Sequence, residues 1–211
     1  MDHWSVQPFN GQVIRASTIF QIARELKPSY VIETGTFKGT STVWLAGLAT
    51  KGTYTIEIDS LSASDARKRF SENYSDLPIQ LIVGDSAEQI KEVLKNIESK
   101  TESVLAYLDA HWLDAIPTAL EIEALVKWDG TWVAVIDDFY NPHDLNYGFD
   151  KYRDVVIGSE LLSAIDGLEI WVSTLPAKEE TGARRGTGYV FSRSAILRLG
   201  EHLPEDLIKI R

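Results

Sequence analysis

Strand-like and helix-like segments alternate almost from end to end of this chain, and that alternation limits its fold more than any other feature. β-branched or alternating runs fall at Tyr30–Glu33, Tyr54–Asp59, Ile79–Val83, Val104–Leu108 and Trp132–Ile136. Segments of helical periodicity lie between them, at Thr40–Leu48, Ser64–Tyr74, Ala87–Ile97 and Thr118–Val126. A helix over Ser17–Leu26 comes first and is ended by Pro28. Strands joined by helices imply right-handed crossovers and a mostly parallel sheet covered on both faces. Further on, Lys151–Ile165 reads as helical, and Ser194–Leu199 begins a terminal helix. Leu168–Ser173 and Gly188–Phe191 read as strands, with only polar, glycine-bearing sequence between them, so they are expected as antiparallel neighbours. The expectation is an α/β, three-layer, Rossmann-like fold with a seven-stranded, mostly parallel sheet and an antiparallel last strand. At 211 residues the chain is expected to form one domain, a helical segment over 1–28 followed by the α/β core over 29–211.

In an open sheet of this kind, ligands sit outside the carboxyl ends of the strands. Each of the first five exits here carries an acid: Glu33, then Glu57 and Asp59, then Asp85-Ser86, then Asp109-Ala110-His111-Trp112, then Asp137-Asp138. Such regularity is not expected of structural residues, because burying unpaired charge is costly. Glu57 suits bidentate hydrogen bonding to a ribose, and the bland reading is that it or Asp59 caps the next helix. Asp85-Ser86 suits an adenine edge as well as it suits an N-cap, and Ile58 is placed to pack on an adenine face. Asp109, Asp137 and Asp138 offer only hard oxygen donors, which suit Mg²⁺, Mn²⁺ or Ca²⁺ rather than Zn²⁺. The alternative is that Asp138 only caps the turn at Phe139-Tyr140-Asn141-Pro142.

The first exit reads YVIETGTFKGTSTVWLA, a strand, a Gly35-x-x-x-Gly39 turn and a helix start. Its spacing is neither the dinucleotide fingerprint nor the P-loop. Glu33 would repel a phosphate but suits a ligand with a cationic group. Glu-x-Gly-x-x-x-Gly in this position resembles the first motif of class I S-adenosylmethionine-dependent methyltransferases. The stretches GQVIRASTIFQIARELKPSYVIETGTFKGTSTV, TIEID, IQLIVGDSAEQI, AYLDAHW and WVAVIDD together resemble the metal-dependent catechol O-methyltransferase type, and the Asp-Asp pair also the macrocin O-methyltransferases. The resemblance implies a methyltransferase fold and methyl transfer to a small hydroxylated molecule. It implies cofactor contacts from Glu33, Gly35, Thr36, Phe37, Ser41, Glu57, Ile58, Asp85, Ser86, Asp109 and Trp112. It puts a divalent ion on Asp109, Asp137 and Asp138. The lysine base of the catechol type is missing from AYLDAHWLDAIP. His111 is the available substitute, alongside Asp109 as a catalytic group, and it is equally open to a role as metal ligand or helix-entry residue.

No G-x-S-x-G elbow is present, and no Asn/Asp-Pro-Pro-aromatic motif follows the fourth strand, so serine hydrolysis and amide methylation are disfavoured. A hydroxylase on the same framework, or a non-catalytic binder of S-adenosylmethionine or another metabolite, are the alternatives. A formal charge of −10 disfavours nucleic acid as substrate. No apolar run approaches the roughly 18 residues of a membrane span, the N-terminus lacks a signal-peptide pattern, and cysteine is absent, so a cytoplasmic enzyme without membrane partners is expected, homo-oligomerisation being open. Two loops border the expected site. Phe139–Asp150 is aromatic, and Thr174–Gly188 carries Arg184 and Arg185, which fit either an anionic substrate group or a solvated patch. Trp4 and Phe9 fit either a pocket cover or flank packing.

Overall fold

A computed structural model describes residues 7–111 and 116–211. The strands are β1 (Tyr30–Thr34), β2 (Gly52–Glu57), β3 (Ile79–Val83), β4 (Ser103–Leu108), β5 (Thr131–Ile136), β6 (Lys151–Tyr152), β7 (Val155–Val156), β8 (Glu169–Ser173), β9 (Gly188–Phe191) and β10 (Leu207–Lys209). The helices are α1 (Val13–Leu26), α2 (Thr40–Ala46), α3 (Ser60–Asn73), α4 (Ser86–Lys95), α5 (Thr118–Trp128) and α6 (Arg193–Leu199). Apart from the β6–β7 hairpin, the strands form one eight-stranded sheet in the order β10-β8-β9-β5-β4-β1-β2-β3. β1 to β5 pair in parallel. β9 is antiparallel to both β5 and β8, as expected of the last pair, and β10 is antiparallel to β8.

The middle strands are buried on both faces, which is why they read as continuous apolar runs. One face carries Ile32, Val104, Ala106 and Ile136 against Ile90 and Leu94 of α4 and Ile122 and Leu125 of α5. The other carries Val31, Leu105, Val133 and Val135 against Ile19, Ile22 and Leu26 of α1, Leu45 of α2 and Ala195 and Leu199 of α6. Burying an aliphatic side chain fully is worth about 1.5–3 kcal/mol, so these two layers fix the register of the strands that aim the rim residues.

Two expectations fail. The sheet has eight strands, not seven, because Leu207–Lys209 adds an edge. Lys151–Ile165 is not a helix but the β6–β7 hairpin followed by a 3₁₀ turn over Ser159–Leu162. Backbone bonds pin this segment to the exit of β5: Asp150 N–H donates to Asp138 O at 2.9 Å, and Tyr140 N–H to Ile157 O at 2.7 Å. Arg153 at φ 53° makes the tight hairpin turn. Tertiary pairing here overrides the apolar spacing.

Candidate active site at the carboxyl rim of the sheet

β1 lies between β4 and β2, so the crossover from β3 back to β4 puts a switch point at the carboxyl ends of β1 and β4. The first exit turns sharply. Gly35 has φ 84°, and a side chain there would meet the Asp109 carbonyl oxygen at 2.2 Å. Gly35 thus lets the β1 exit pack against the β4 exit. Gly39, at φ 69°, precedes α2.

Glu33 is buried and takes hydrogen bonds from the Thr42 and Thr55 hydroxyls, the latter at 2.6 Å. Burial drives its pKa up to about 7 against those two bonds. Thr36 is also buried and shares a 2.6 Å hydrogen bond with Thr55. Glu57 accepts from Phe37 N–H at 2.7 Å through Oε2 and from Asp59 N–H at 2.9 Å through Oε1, tying the glycine turn to the exit of β2. Phe37 and Ile58 are both exposed on the rim. Ser41 accepts from Phe9 N–H at 3.0 Å. Asp59 caps α3 and Asp85 caps α4. Ser86 is buried at the start of α4. Trp112 lies outside the described residues, as does Trp4. Phe9 is a core residue, its ring 4.9 Å from Trp44 and 5.0 Å from Tyr107.

Asp109, His111 and Asp138 each bring one ligand atom to within 4.8 Å of the others. Asp138 has φ 54°, a left-handed conformation that aspartate tolerates better than most residues and that is concentrated at functional turns. Its Oδ2 lies 3.6 Å from His111 Nε2, and Asp150 Oδ2 lies 3.9 Å from the same nitrogen. Both distances are too long for hydrogen bonds, and the buried His111 ring has no partner for either nitrogen among the described residues. Burial works against charge on His111, but Asp138, then Asp137 and Asp150, raise its pKa above the ordinary value. Desolvation, followed by Asp137 and Asp138, holds the Asp109 carboxyl well above the usual range. Asp138 goes the other way: burial opposes its charge, yet His111 and Arg185 pull its pKa down.

Asp137 stands apart from this cluster. It is buried, its Oδ1 faces Arg15 and its Oδ2 accepts from Tyr107 at 2.6 Å. The Asp138 N–H also bonds Oδ1, at 2.6 Å. These partners occupy the carboxylate that the sequence assigns to a metal. Arg15 is fully buried, and its guanidinium also donates to Thr187 Oγ1 at 2.8 Å and to the carbonyls of Arg185 and Gly186 at 3.1 and 3.2 Å. Sequence reasoning missed Arg15, which reads as one more cation on a surface helix.

Three further residues join the rim from loops. Arg185 Nε meets Asp138 Oδ1 at 2.6 Å, and its Nη2 meets Asp150. The Gln12 side chain brackets the Arg185 backbone, donating to its carbonyl at 2.8 Å and accepting from its N–H at 3.0 Å. Tyr152 O–H bonds Asp150 at 2.7 Å. Arg185 is therefore paired inside the site. Arg184, whose Nε donates to Glu180 O at 3.0 Å, is not part of that group.

The β3-β2-β1-β4-β5 core with an antiparallel β9 beside β5, and acids at each strand exit, define the class I methyltransferase architecture. The family profile "Rhamnosyl O-methyltransferase/CmcI" matches residues 11–163. The chain belongs to that family of S-adenosylmethionine-dependent O-methyltransferases. Solved structures share the fold. An O-methyltransferase from Bacillus cereus in complex with SAH has a TM-score of 0.60 at 19% identity, covering 88% of this chain and 84% of that one. The O-methyltransferase TomG from Streptomyces achromogenes, involved in tomaymycin synthesis and bound to SAM, has 0.53 at 17% identity, covering 84% and 79%. An rRNA methylase from Streptococcus thermophilus has 0.52 at 14% identity, covering 85% and 95%. No curated protein matches the chain. No described helix is long and apolar enough to cross a membrane.

Proposed function

We propose that this chain transfers the methyl group of S-adenosylmethionine to an oxygen of a small hydroxylated molecule, as one methyltransferase domain. The observation that carries the reading is the convergence of Asp109, His111 and Asp138 at the rim of a chain from an O-methyltransferase family. The cofactor supplies an electrophilic methyl group, and the protein's task is to place a nucleophile in line with it. Glu57 is assigned to the ribose, Ile58 to the adenine face, and Asp85-Ser86 to the adenine end. The backbone of Gly35, Thr36 and Phe37, with Glu33 and Ser41 behind it, walls the amino acid end.

A hydroxyl is a poor nucleophile until it loses its proton. His111 is assigned as the base that takes it: its ring nitrogens are uncommitted, and Asp138 and Asp150 face Nε2 and stabilise the imidazolium that results. Asp109 and Asp138 fit a hard divalent cation, since an ion such as Mg²⁺ is commonly held by one or two carboxylates. When bound, such an ion lowers the pKa of an acceptor hydroxyl. Asp137 is assigned to holding Arg15 and Tyr107 rather than to the ion. Net charge of −10 supports a small acceptor over a nucleic acid.

The test is calorimetry with S-adenosylmethionine and its demethylated product, followed by an acceptor screen with methyl-labelled cofactor. Absence of binding by folded protein, or transfer only to nitrogen or carbon, would sink the proposal. Exhaustive chelation tests the ion. Arg185, already seated on Asp138, favours a second reading in which protein cations alone balance the acids. Turnover that survives chelation would select it.

A further inference from the structure

The α4–α5 side of the rim carries a second polar cluster that the proton transfer leaves unused. Glu121, near the start of α5, is fully buried, and neither carboxyl oxygen has a hydrogen-bond partner among the described residues. Thr34, the last residue of β1, is fully buried with its hydroxyl equally unpartnered. The Ser86 and Thr34 hydroxyls stand beside the Glu121 carboxyl without the alignment of a bond. Desolvation pushes that carboxyl up to about 7. Leaving such a group unsatisfied costs free energy, and buried polar atoms nearly always have a partner. Two open carboxyl acceptors beside an open hydroxyl are suited to a ligand with an amine donor next to a ring acceptor.

The cluster's position narrows the ligand. Ser86 follows the exit of β3, and the exposed Ile58 and the carboxylate of Glu57 stand at the neighbouring exit of β2. A nucleoside with its ribose on Glu57 and its base on Ile58 would direct the outer edge of the base toward the start of α4. Asp85, the obvious acceptor there, already spends Oδ1 on the Ala87 N–H at 2.9 Å. Adenine presents a 6-amino donor beside the N1 acceptor. A carboxyl acceptor next to a hydroxyl donor complements that pair.

We propose that Glu121, with Thr34, is the specificity-determining reader of the adenine 6-amino edge of the cofactor. The inference rests on the cofactor reading above and adds to it a residue of α5. Its test compares calorimetric affinity for S-adenosylhomocysteine with that for the analogue lacking the 6-amino group. Wild-type protein is expected to prefer the adenine compound by about tenfold or more, since a site built for a hydrogen bond rejects a ligand without it. Glu121→Leu is expected to bind the two alike, with its affinity for the desamino analogue unchanged. Glu121→Gln keeps the shape and one acceptor, and is expected to retain a reduced preference. Equal weakening of both compounds in Glu121→Leu would show a structural role only and overturn the inference. An undiminished preference in either variant, or no preference in wild type, would also overturn it. Wild-type protein that binds neither compound would overturn the cofactor reading itself.

Discussion

Arg15→Met is the perturbation on which the structure makes its firmest demand. The guanidinium is wholly buried and bonds Thr187, Tyr107 and two carbonyls while facing Asp137. Burial opposes its charge, but Asp137, then Tyr107 and Asp138, more than offset that and raise its pKa above the ordinary value. Methionine fills similar space without charge, so the main loss is compensation for Asp137. Removing one partner of a buried ion pair costs about 3–5 kcal/mol. In a chain of this size each kcal/mol moves Tm by about 2–4 °C, so the expected fall is about 6–20 °C. Replacing both partners is far cheaper, and Arg15→Met/Asp137→Asn should recover at least about half of the loss, because Tyr107 can still donate to an Asn carbonyl.

The pH dependence gives a second handle on the same pair. Desolvation already raises Asp137, and Arg15 is the largest influence holding it down. Without Arg15 the folded-state pKa rises further, so the folded variant binds a proton that the unfolded chain releases. Its stability then increases as pH falls toward the unfolded value, and the gap from wild type narrows between pH 7.5 and pH 5. Urea unfolding of wild type, both single variants and the double variant across that range measures each quantity. A single-variant loss below about 1 kcal/mol, the size of an exposed pair, would refute the claim that Arg15 and Asp137 form an isolated buried pair. So would a double variant no more stable than Arg15→Met.

Other outcomes follow from single groups. His111→Ala should slow methyl transfer by about 10²-fold or more with S-adenosylhomocysteine affinity unchanged, and a loss of Mn²⁺ affinity instead would reassign it as a ligand. Gly35→Ala should destabilise the fold by more than about 1 kcal/mol, because it combines a left-handed φ with a clash against the Asp109 carbonyl. Unfolding at wild-type midpoint would contradict that contact. Glu33 and Glu121 both have folded pKa values raised to about 7. Each therefore adds stability below its unfolded pKa that is lost as pH rises through about 7. The wild type should lose stability between pH 5 and 7.5, and Glu33→Gln/Glu121→Gln should flatten the slope. An equal slope in both proteins would count against the buried carboxyls as its source.

The parts of this fold that were legible in the sequence are those whose energetics are local or periodic. The five parallel strands bury both faces and therefore appear as apolar runs, and the antiparallel last pair follows from the absence of a helix between them. Acids at the exits are legible because they break those runs. What escaped the sequence depends on partners far along the chain. Arg15 looks like a surface charge until α1 lays it against Asp137 and Tyr107. Asp150 and Tyr152 are hidden by a segment whose apolar spacing mimics a helix, while its backbone is bound to Asp138 and Tyr140. β10 is three residues long and carries no periodicity of its own. Asp137 and Asp138 look equivalent as adjacent letters, but alternation along the chain turns one toward the Arg15 cluster and the left-handed turn presents the other at the rim.

Charge balance explains how one rim tolerates so many acids. Asp109, Asp137, Asp138 and Asp150 lie close together, and mutual repulsion alone would make that arrangement untenable. Arg15 addresses Asp137 from beneath the rim, and Arg185 addresses Asp138 and Asp150 from a loop whose backbone is clamped by Gln12. Four carboxylates set against two guanidiniums leave two negative charges when His111 is neutral. That remainder matches a divalent cation, and the donors left outermost, Asp109 and the second oxygen of Asp138, are the ones the proposed ion would use. The two arginines therefore act on the chemistry without touching the acceptor. They bring the acids close enough to define one position for the ion and the hydroxyl, and they leave the imidazole of His111 free to take the proton.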